Sequence, residues 1–255
     1  MGRLSAVVIT RNEERNIQRC LDSLQDVVDE VIIVDSGSTD RTEEICARYP
    51  MVRFFRHAWL GYGATKNFAN SLAECNYILS LDADEALSSE LKKSLAEPIQ
   101  LSGVYRVRRR TNYCGQWIWH TGWYPDEKIR IFPKAAAQWS EDAVHEELKV
   151  NQNLPIHELN GDLLHYSYYT IQEHLLRTDR YSQLAAAQIA VSKKTFLRTR
   201  AVLNSVLRFF KHYFLKRGFQ DGYYGLVISL ISSLEVFLKY SKADQLRRQQ
   251  RMNIP

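Results

Sequence analysis

The sequence predicts an α/β fold, a mostly parallel sheet with helices on both faces, followed by a C-terminal helical appendage. Three observations carry this. Four short runs are continuously apolar, stretches of helical period lie between them, and the chain turns strongly basic after about residue 170. The runs are Leu4–Thr10, Val31–Asp35, Val52–Arg56 and Tyr77–Asp82. Unbroken apolar character marks strands covered on both faces, as in parallel sheets. Between the first two, Ile17, Cys20, Leu21 and Leu24 fall on one helical face. Ser36–Asp40 supplies turn and N-cap residues, and Asp40 with Glu43 has capping-box spacing before a second helix. Ala64–Cys75 predicts a third. The order βαβαβαβ specifies an open sheet whose ligand crevice lies beyond the carboxyl ends of its strands.

Composition narrows the class. With 255 residues, 45% apolar and 25% charged, the chain suits one large domain or a domain with an appendage. Eleven Gly, six Pro and 11% aromatics exclude a fibrous or disordered chain. Cys20, Cys46, Cys75 and Cys114 lie far apart in runs that read as helix or strand, without a CxxC pair. They predict buried, reduced thiols rather than a zinc ribbon or a disulfide scaffold, and a cytoplasmic setting. Met1-Gly-Arg-Leu runs straight into an apolar strand, so no signal peptide is expected. Residues 1–170 carry 19 Lys+Arg against 24 Asp+Glu, and residues 171–255 carry 15 against 5. Residues 1–170 and 171–255 are therefore expected to be separate regions, the basic tail meeting something anionic. No internal repeat or linker separates them.

The crevice rule singles out Thr10-Arg11-Asn12-Glu13, Asp35-Ser36-Gly37 and Asp82-Ala83-Asp84 as strand-exit residues. Two carboxylates at i and i+2, past a buried strand, can converge on one hard divalent cation such as Mg²⁺ or Mn²⁺. A solvated acidic turn capping the next helix is the structural alternative. A third acid, Asp35, ends a neighbouring strand, where a carboxylate can bond a uracil edge or a ribose hydroxyl. Neither GxGxxG nor GxxxxGK[ST] occurs. Phosphates are thus expected on a metal rather than a glycine-rich loop, which disfavours dehydrogenase and NTPase readings.

VVITRNEERNI (7–17), VIIVDSGSTDRT (31–42), ATKNFA (64–69) and ILSLDADE (78–85) resemble, in order, the N-terminal motifs of the family-2 glycosyltransferases, inverting enzymes of GT-A fold. The resemblance covers about 150 residues. It implies that Thr10, Asn12 and Glu13 surround the nucleotide, that Asp35 contacts uracil or ribose, and that Lys66 lies near the diphosphate. It makes Asp82 and Asp84 the DxD pair, with Asp84 as metal ligand. Lys66 stands where many members carry Arg, which keeps the charge but loses the planar fork.

An inverting transfer also needs a base for the acceptor hydroxyl. Trp139–Glu147 holds four acids and a His within nine residues, after the strand-like run Lys128–Phe132. Glu141-Asp142 resembles the acidic pair that carries the family's base. Val144-His145-Glu146 looks more like the subgroup of lipopolysaccharide inner-core glucosyltransferases of the WaaE/KdtX type. Asp142 or Glu146 is then the base, and His145 a metal ligand or diphosphate contact; a solvated helix start is the bland alternative. Arg130 fits either a phosphate contact or a salt bridge on a strand face. His165, in His-Tyr-Ser-Tyr, resembles a further motif of that subgroup and fits a structural histidine equally well. Thr111–Pro125 packs three of the five Trp into seven residues, which suits an acceptor-sugar platform or the core of a small hairpin.

In the tail, Leu203, Val206, Leu207, Phe210 and Phe214 form an apolar stripe, with Arg208 and Lys216 opposite and Lys211 on the flank. Gly218 and Asp221-Gly222 mark a turn before the mainly apolar run Tyr223–Leu238. That run is shorter than the roughly 20 residues a span requires, so no transmembrane helix is expected. An interfacial helix on anionic lipid and a helix pair packed on protein both fit. The resemblance implies a UDP-sugar donor, a hexose (glucose first) moved to an inner-core lipid-linked acceptor, a divalent metal, and peripheral attachment to the cytoplasmic face of the inner membrane. Another lipid- or protein-linked glycan is the nearer alternative acceptor. A non-catalytic membrane or nucleic-acid scaffold is the alternative of another class, and the tail lacks the recognition-helix context that nucleic-acid binding shows.

Overall fold

The computed structural model describes residues 4–96, 101–140, 147–150 and 153–252. The chain forms two compact units, Met1–Arg110 with Asp126–Tyr166, and Thr111–Pro125 with Ser167–Pro255. The second begins close to residue 170 and also takes in the aromatic segment 111–125 from within the front region. In chain order the elements are β1 (Leu4–Thr10), α1 (Ile17–Leu24), β2 (Glu30–Asp35), α2 (Thr42–Cys46), β3 (Val52–Arg56), α3 (Tyr62–Leu72), β4 (Tyr77–Asp82), β5 (Glu85–Leu87) and α4 (Ser89–Ala96). There follow β6 (Val104–Tyr113), β7 (Gln116–Trp117), β8 (Asp126–Pro133), β9 (Ala137–Trp139), β10 (Leu148–Val150) and β11 (Ile156–Tyr168). Three helices complete the chain: α5 (Ile171–Val191), α6 (Leu197–Phe210) and α7 (Gly222–Met252).

In the first unit the strands run in the order β3-β2-β1-β4-β8-β6-β11-β5. The pairs of β1 with β2, β1 with β4 and β2 with β3 are parallel, whereas β8 joins β4 antiparallel. The continuous apolar runs follow from burial on both faces. Leu4, Ala6 and Val8 of β1 join Val31 and Ile33 of β2 and the α1 stripe in one core, while Val7, Ile32, Val34 and Ile78 meet Ala69 of α3 in a second. The expected capping box at Asp40 does not form. Asp40 accepts from Thr42 N–H and from Glu14 N–H, so it ties the loop after β2 to the loop after β1 instead. The four cysteines are free; Cys20 and Cys46 lie in helices, whereas buried Cys75 lies in the link to β4 and Cys114 in a turn after β6, outside the regular elements expected for them.

In the second unit the end of β6 and β7 make a tight hairpin, Tyr113 opposite Gln116. Tyr113 and Ile118 are fully buried, and Trp123, Tyr168 and Tyr224 pack around them. Most of the aromatic segment is thus hairpin core, while Trp119 stays half exposed beside Tyr124. Asp221 is buried and accepts from the backbone N–H groups of Trp119 and His120 and from the His120 ring, so it holds the hairpin against the start of α7. Gly225 permits the close approach there: a Cβ would lie 1.8 Å from the carbonyl oxygen of Gly218. Thr170 and Glu173 form a full capping box at the start of α5. Small residues bring α5, α6 and α7 together: Ala186, Ala201 and Ala243 are buried among Ile189, Leu197, Val236 and Tyr240. Helix α7 extends well past the apolar run expected from sequence. Over its most apolar stretch it is long and apolar enough to cross a membrane by length and composition, with 33% of that stretch buried within the protein.

Candidate active site

The strand ends bring the expected acids to one edge. Asp35 pairs in register with Thr10 on one side of β1, and Asp82 pairs with Ile9 on the other. The β1 and β2 exits are then zipped together. Asn12, with φ of 57°, takes its backbone N–H to the Ser38 hydroxyl at 2.7 Å and accepts from Thr39 N–H at 2.8 Å. Glu13 N–H donates to Thr42 Oγ1. Asp35 accepts from Gly37 N–H, Ser38 N–H and the Ser38 hydroxyl, so its carboxylate shapes its own loop. The Thr10 hydroxyl is buried and has no hydrogen-bond partner among the described residues. Burial pushes the Glu13 carboxyl up; Asn16 bonds it in the opposing sense, and the carboxylates of Asp84, Asp40 and Asp82 reinforce the rise.

The two acids of the DxD turn have different surroundings. Asp82 is flanked by cations, Lys66 Nζ at 3.1 Å from Oδ1 and the Arg130 guanidinium at 3.2 Å from Oδ2. Burial alone would raise its pKa, but Lys66 and Arg130 hold it well below the usual carboxylate range. Arg130 also donates to Glu85, whose side chain is wholly buried. Glu85 in turn accepts from Asp82 N–H at 2.9 Å and pairs with Arg109, which binds Asp126 through two donors. The alternating row Lys66, Asp82, Arg130, Glu85, Arg109, Asp126 therefore cancels in charge. Desolvation works against charging Arg130, and Glu85 with Asp82 overrides it to push its pKa up.

Asp84 is left out of that row. Its Oδ2 lies 3.3 Å from His165 Nε2, and its backbone carbonyl accepts from Tyr166 N–H. The cause is sheet register, since β5 pairs antiparallel with β11 and sets His165 opposite Glu85. A strand from far along the sequence thus delivers an imidazole to the DxD turn. Sequence spacing could not find this partner, and the only signal for it was the His-Tyr-Ser-Tyr motif. Asp84 and His165 offer one carboxylate oxygen and one ring nitrogen, a pair that can hold a divalent cation together with phosphate oxygens. Among the described residues no group of three or more metal-type side chains occurs.

Asp142, His145 and Glu146 lie outside the described residues, as does Glu141. The flanks of their segment are well defined. Ser140 N–H donates to the Glu147 carbonyl at 2.8 Å, and Trp139 pairs with Leu148 across β9 and β10. Asn67 of α3 clamps the Trp139 backbone through both its amide atoms, and Lys66 Nζ sits 4.5 Å from the centre of the Trp139 ring. The root of the acidic segment is therefore fastened to the helix that carries Lys66. Asn67 and Trp139 are the residues responsible; both lie within motifs quoted from the sequence, but nothing there assigned them this clamping role.

Three neighbouring strand ends that converge on a DxD turn backed by Lys66 match a known pattern along the chain. The family model described as Glycosyl transferase family 2 fits residues 5–152. The chain belongs to that family. This family-2 glycosyltransferase is 31% identical over 255 residues to an uncharacterized glycosyltransferase of Rickettsia felis, covering 95% of this chain and 89% of the relative. It is 28% identical over 255 residues to the lipopolysaccharide core biosynthesis glycosyltransferase LpsC of Rhizobium meliloti, covering 95% and 92%. Among solved structures, TarS 1–349 of S. aureus in complex with UDP-GlcNAc aligns with a TM-score of 0.50 at 15% identity, covering 98% of this chain and 92% of that one. At that identity the likeness is one of fold, and the fold is GT-A.

Proposed function

We propose that this family-2 glycosyltransferase is a metal-dependent hexosyltransferase that moves a hexose, glucose first among candidates, from a UDP-sugar to a lipopolysaccharide inner-core acceptor. Its place of work is the cytoplasmic face of the inner membrane, with the basic C-terminal helices toward the lipid. The observation that carries the donor half is the convergence of Asp35, Asp82 and Asp84 on one sheet edge. The acceptor class rests on the similarity to a lipopolysaccharide core enzyme along 95% of the chain. Thr10, Asn12, Glu13 and Asp35 would surround the nucleoside, and the unpartnered Thr10 hydroxyl is a ready donor or acceptor for it.

Charge balance supports a cation. Lys66, Arg130 and Arg109 are already matched by Asp82, Glu85 and Asp126, so an added diphosphate meets Asp84, Asp35 and Glu13 with no spare positive charge among these groups. The Asp84–His165 pair fits Mn²⁺ or Mg²⁺, with Asp84 as the ligand expected from sequence and His165 beside it, whereas His145 is outside the described residues. When bound, such an ion stabilises the negative charge of the departing UDP. Lys66 and Arg130 hold Asp82 ionised and stand beside it as the fixed cations of the diphosphate site. Asp142 or Glu146 takes the proton of the acceptor hydroxyl as the glycosidic bond forms with inversion.

The test is UDP release from a panel of nucleotide sugars with Mn²⁺ or Mg²⁺. Turnover of UDP-glucose above the other donors, lost in Asp84→Ala, is the expected result. Full activity of Asp84→Ala, or activity indifferent to chelation, overturns the metal assignment. Transfer to an acceptor lacking the inner core, with none to the core itself, overturns the acceptor.

A further inference from the structure

The apolar stripe expected on α6 is turned outward. The buried residues of this helix are Leu197, Ala201 and Ser205. At about 100° per residue, Leu203, Val206, Leu207 and Phe210 centre on the opposite face, roughly half a turn away. With Phe214, in the turn that follows, they are between 48% and 65% exposed. Helix α7 repeats the arrangement. Its buried face is Gly225, Ile228, Ile231, Val236, Tyr240 and Ala243, and its outward face carries Tyr223, Leu230, Leu234 and Phe237, each exposed. Two packed helices thus each bury a face of small and aliphatic residues against their neighbours and leave a second apolar face open to solvent. Soluble proteins rarely leave this much contiguous apolar side chain uncovered, and such surfaces mark interaction sites.

Charge identifies the occupant. Exposed Arg200, Lys211, Lys216 and Arg217 border the α6 stripe, and Lys211, Lys216 and Arg217 have no carboxylate partner among the described residues. A second copy of this chain would bring the same positive charge to the contact. A surface with apolar depth beneath anionic headgroups satisfies both features at once. Within this unit the C-terminal third of α7 is fastened to α5 and the residues just after it. Arg247 caps the end of α5 by donating to the carbonyls of Ile189, Ala190, Ser192 and Lys194, and Lys242 binds Asp179 and Ser182. These charged ties lie in the C-terminal third of α7, and its apolar first half meets α6 through the Ser233 hydroxyl, which donates to the Ser205 carbonyl.

We propose that the outward stripe of α6, continued by Phe214, is an interfacial docking surface that lies in the plane of an anionic bilayer. Phe210, Phe214, Leu207 and Leu203 enter the acyl boundary, and Arg200, Lys211, Lys216 and Arg217 contact lipid phosphates. This rests on the lipid-linked acceptor reading above and names the surface that meets the lipid.

Sedimentation of the full-length protein with vesicles tests it. Binding to phosphatidylcholine mixed with phosphatidylglycerol should exceed binding to phosphatidylcholine alone by roughly tenfold or more, and should fall as salt rises. Phe210→Glu with Phe214→Glu should abolish it, and Lys211→Gln with Arg217→Gln should weaken it about tenfold or more. Because both pairs point outward, their circular dichroism and melting temperature should stay unchanged. Alkaline carbonate should strip the wild-type protein from vesicles. UDP release from a soluble donor, measured in parallel, should be untouched in both pairs, so failure of the surface is separable from failure of the transferase. Equal binding to neutral vesicles, no binding, retention of binding by the Phe pair, or resistance to carbonate overturns the proposal. So does a solution dimer that Phe210→Glu dissociates, since the stripe would then belong to a second copy.

Discussion

The two units of this chain place their side chains in opposite senses. In the first, charges are inside: Glu85 and Arg130 are nearly or wholly buried and neutralise each other in a six-membered row. In the second, large apolar groups are outside, along α6 and α7. Neither arrangement favours stability by itself. Buried ion pairs often do no better than apolar replacements, and exposed leucines and phenylalanines forfeit their transfer free energy. Each unit departs from ordinary packing at the surface proposed for binding, the strand ends in one and the outward stripe of α6 in the other.

Asp84→Ala offers the sharpest break of this comparison, because it removes function from the first unit while the paired row remains. UDP release should drop by roughly 10²-fold or more, with little change in melting temperature. Next is Glu85→Ala. It leaves Arg130 and Arg109 facing one another without their shared carboxylate, and should destabilise the first unit by about 3–5 kcal/mol in urea unfolding. Glu85→Ala as stable as wild type would show that the row is not a unit. Lys66→Met should raise KM for the donor about tenfold or more, since one charge-assisted contact is worth about 1.5–3 kcal/mol.

In the second unit the effects are smaller. His174 is buried against the Tyr113 hydroxyl, and burial, with Arg177 nearby, pushes its pKa down to about 4. The unfolded imidazole, with a pKa near 6.5, binds the proton more tightly than the folded one, so stability is fully present above that pH. It is lost as pH falls from about 6.5 toward 4, by about 2 kcal/mol at pH 5. Urea midpoints at pH 7 and 5, compared with His174→Gln, measure it; the variant should lose most of the pH dependence. Thr170→Ala, which opens the capping box of α5, should cost about 1 kcal/mol.

The sequence by itself determined the sheet. Strand limits Leu4–Thr10, Val52–Arg56 and Tyr77–Asp82 agree with the structure residue for residue; the first and last are mainly apolar because they are covered on both faces, whereas Val52–Arg56 is a half-buried edge strand marked by Val52, Phe54 and Phe55. It also placed Asp35 and Asp82 at one edge of the sheet, with Asp84 two residues beyond, since parallel strands end on the same edge. Tertiary structure decided what each acid touches. Asp82 is surrounded by cations from α3 and β8, Asp84 meets a histidine from β11, and Asp35 bonds its own loop, contacts made by residues up to about eighty positions apart. In the tail, the helical stripe was legible, but periodicity gives only a face and never what covers it. Which face α6 turns inward was settled by Ala201 and Ser205, small enough to let α7 approach, and that left the aromatic face outward.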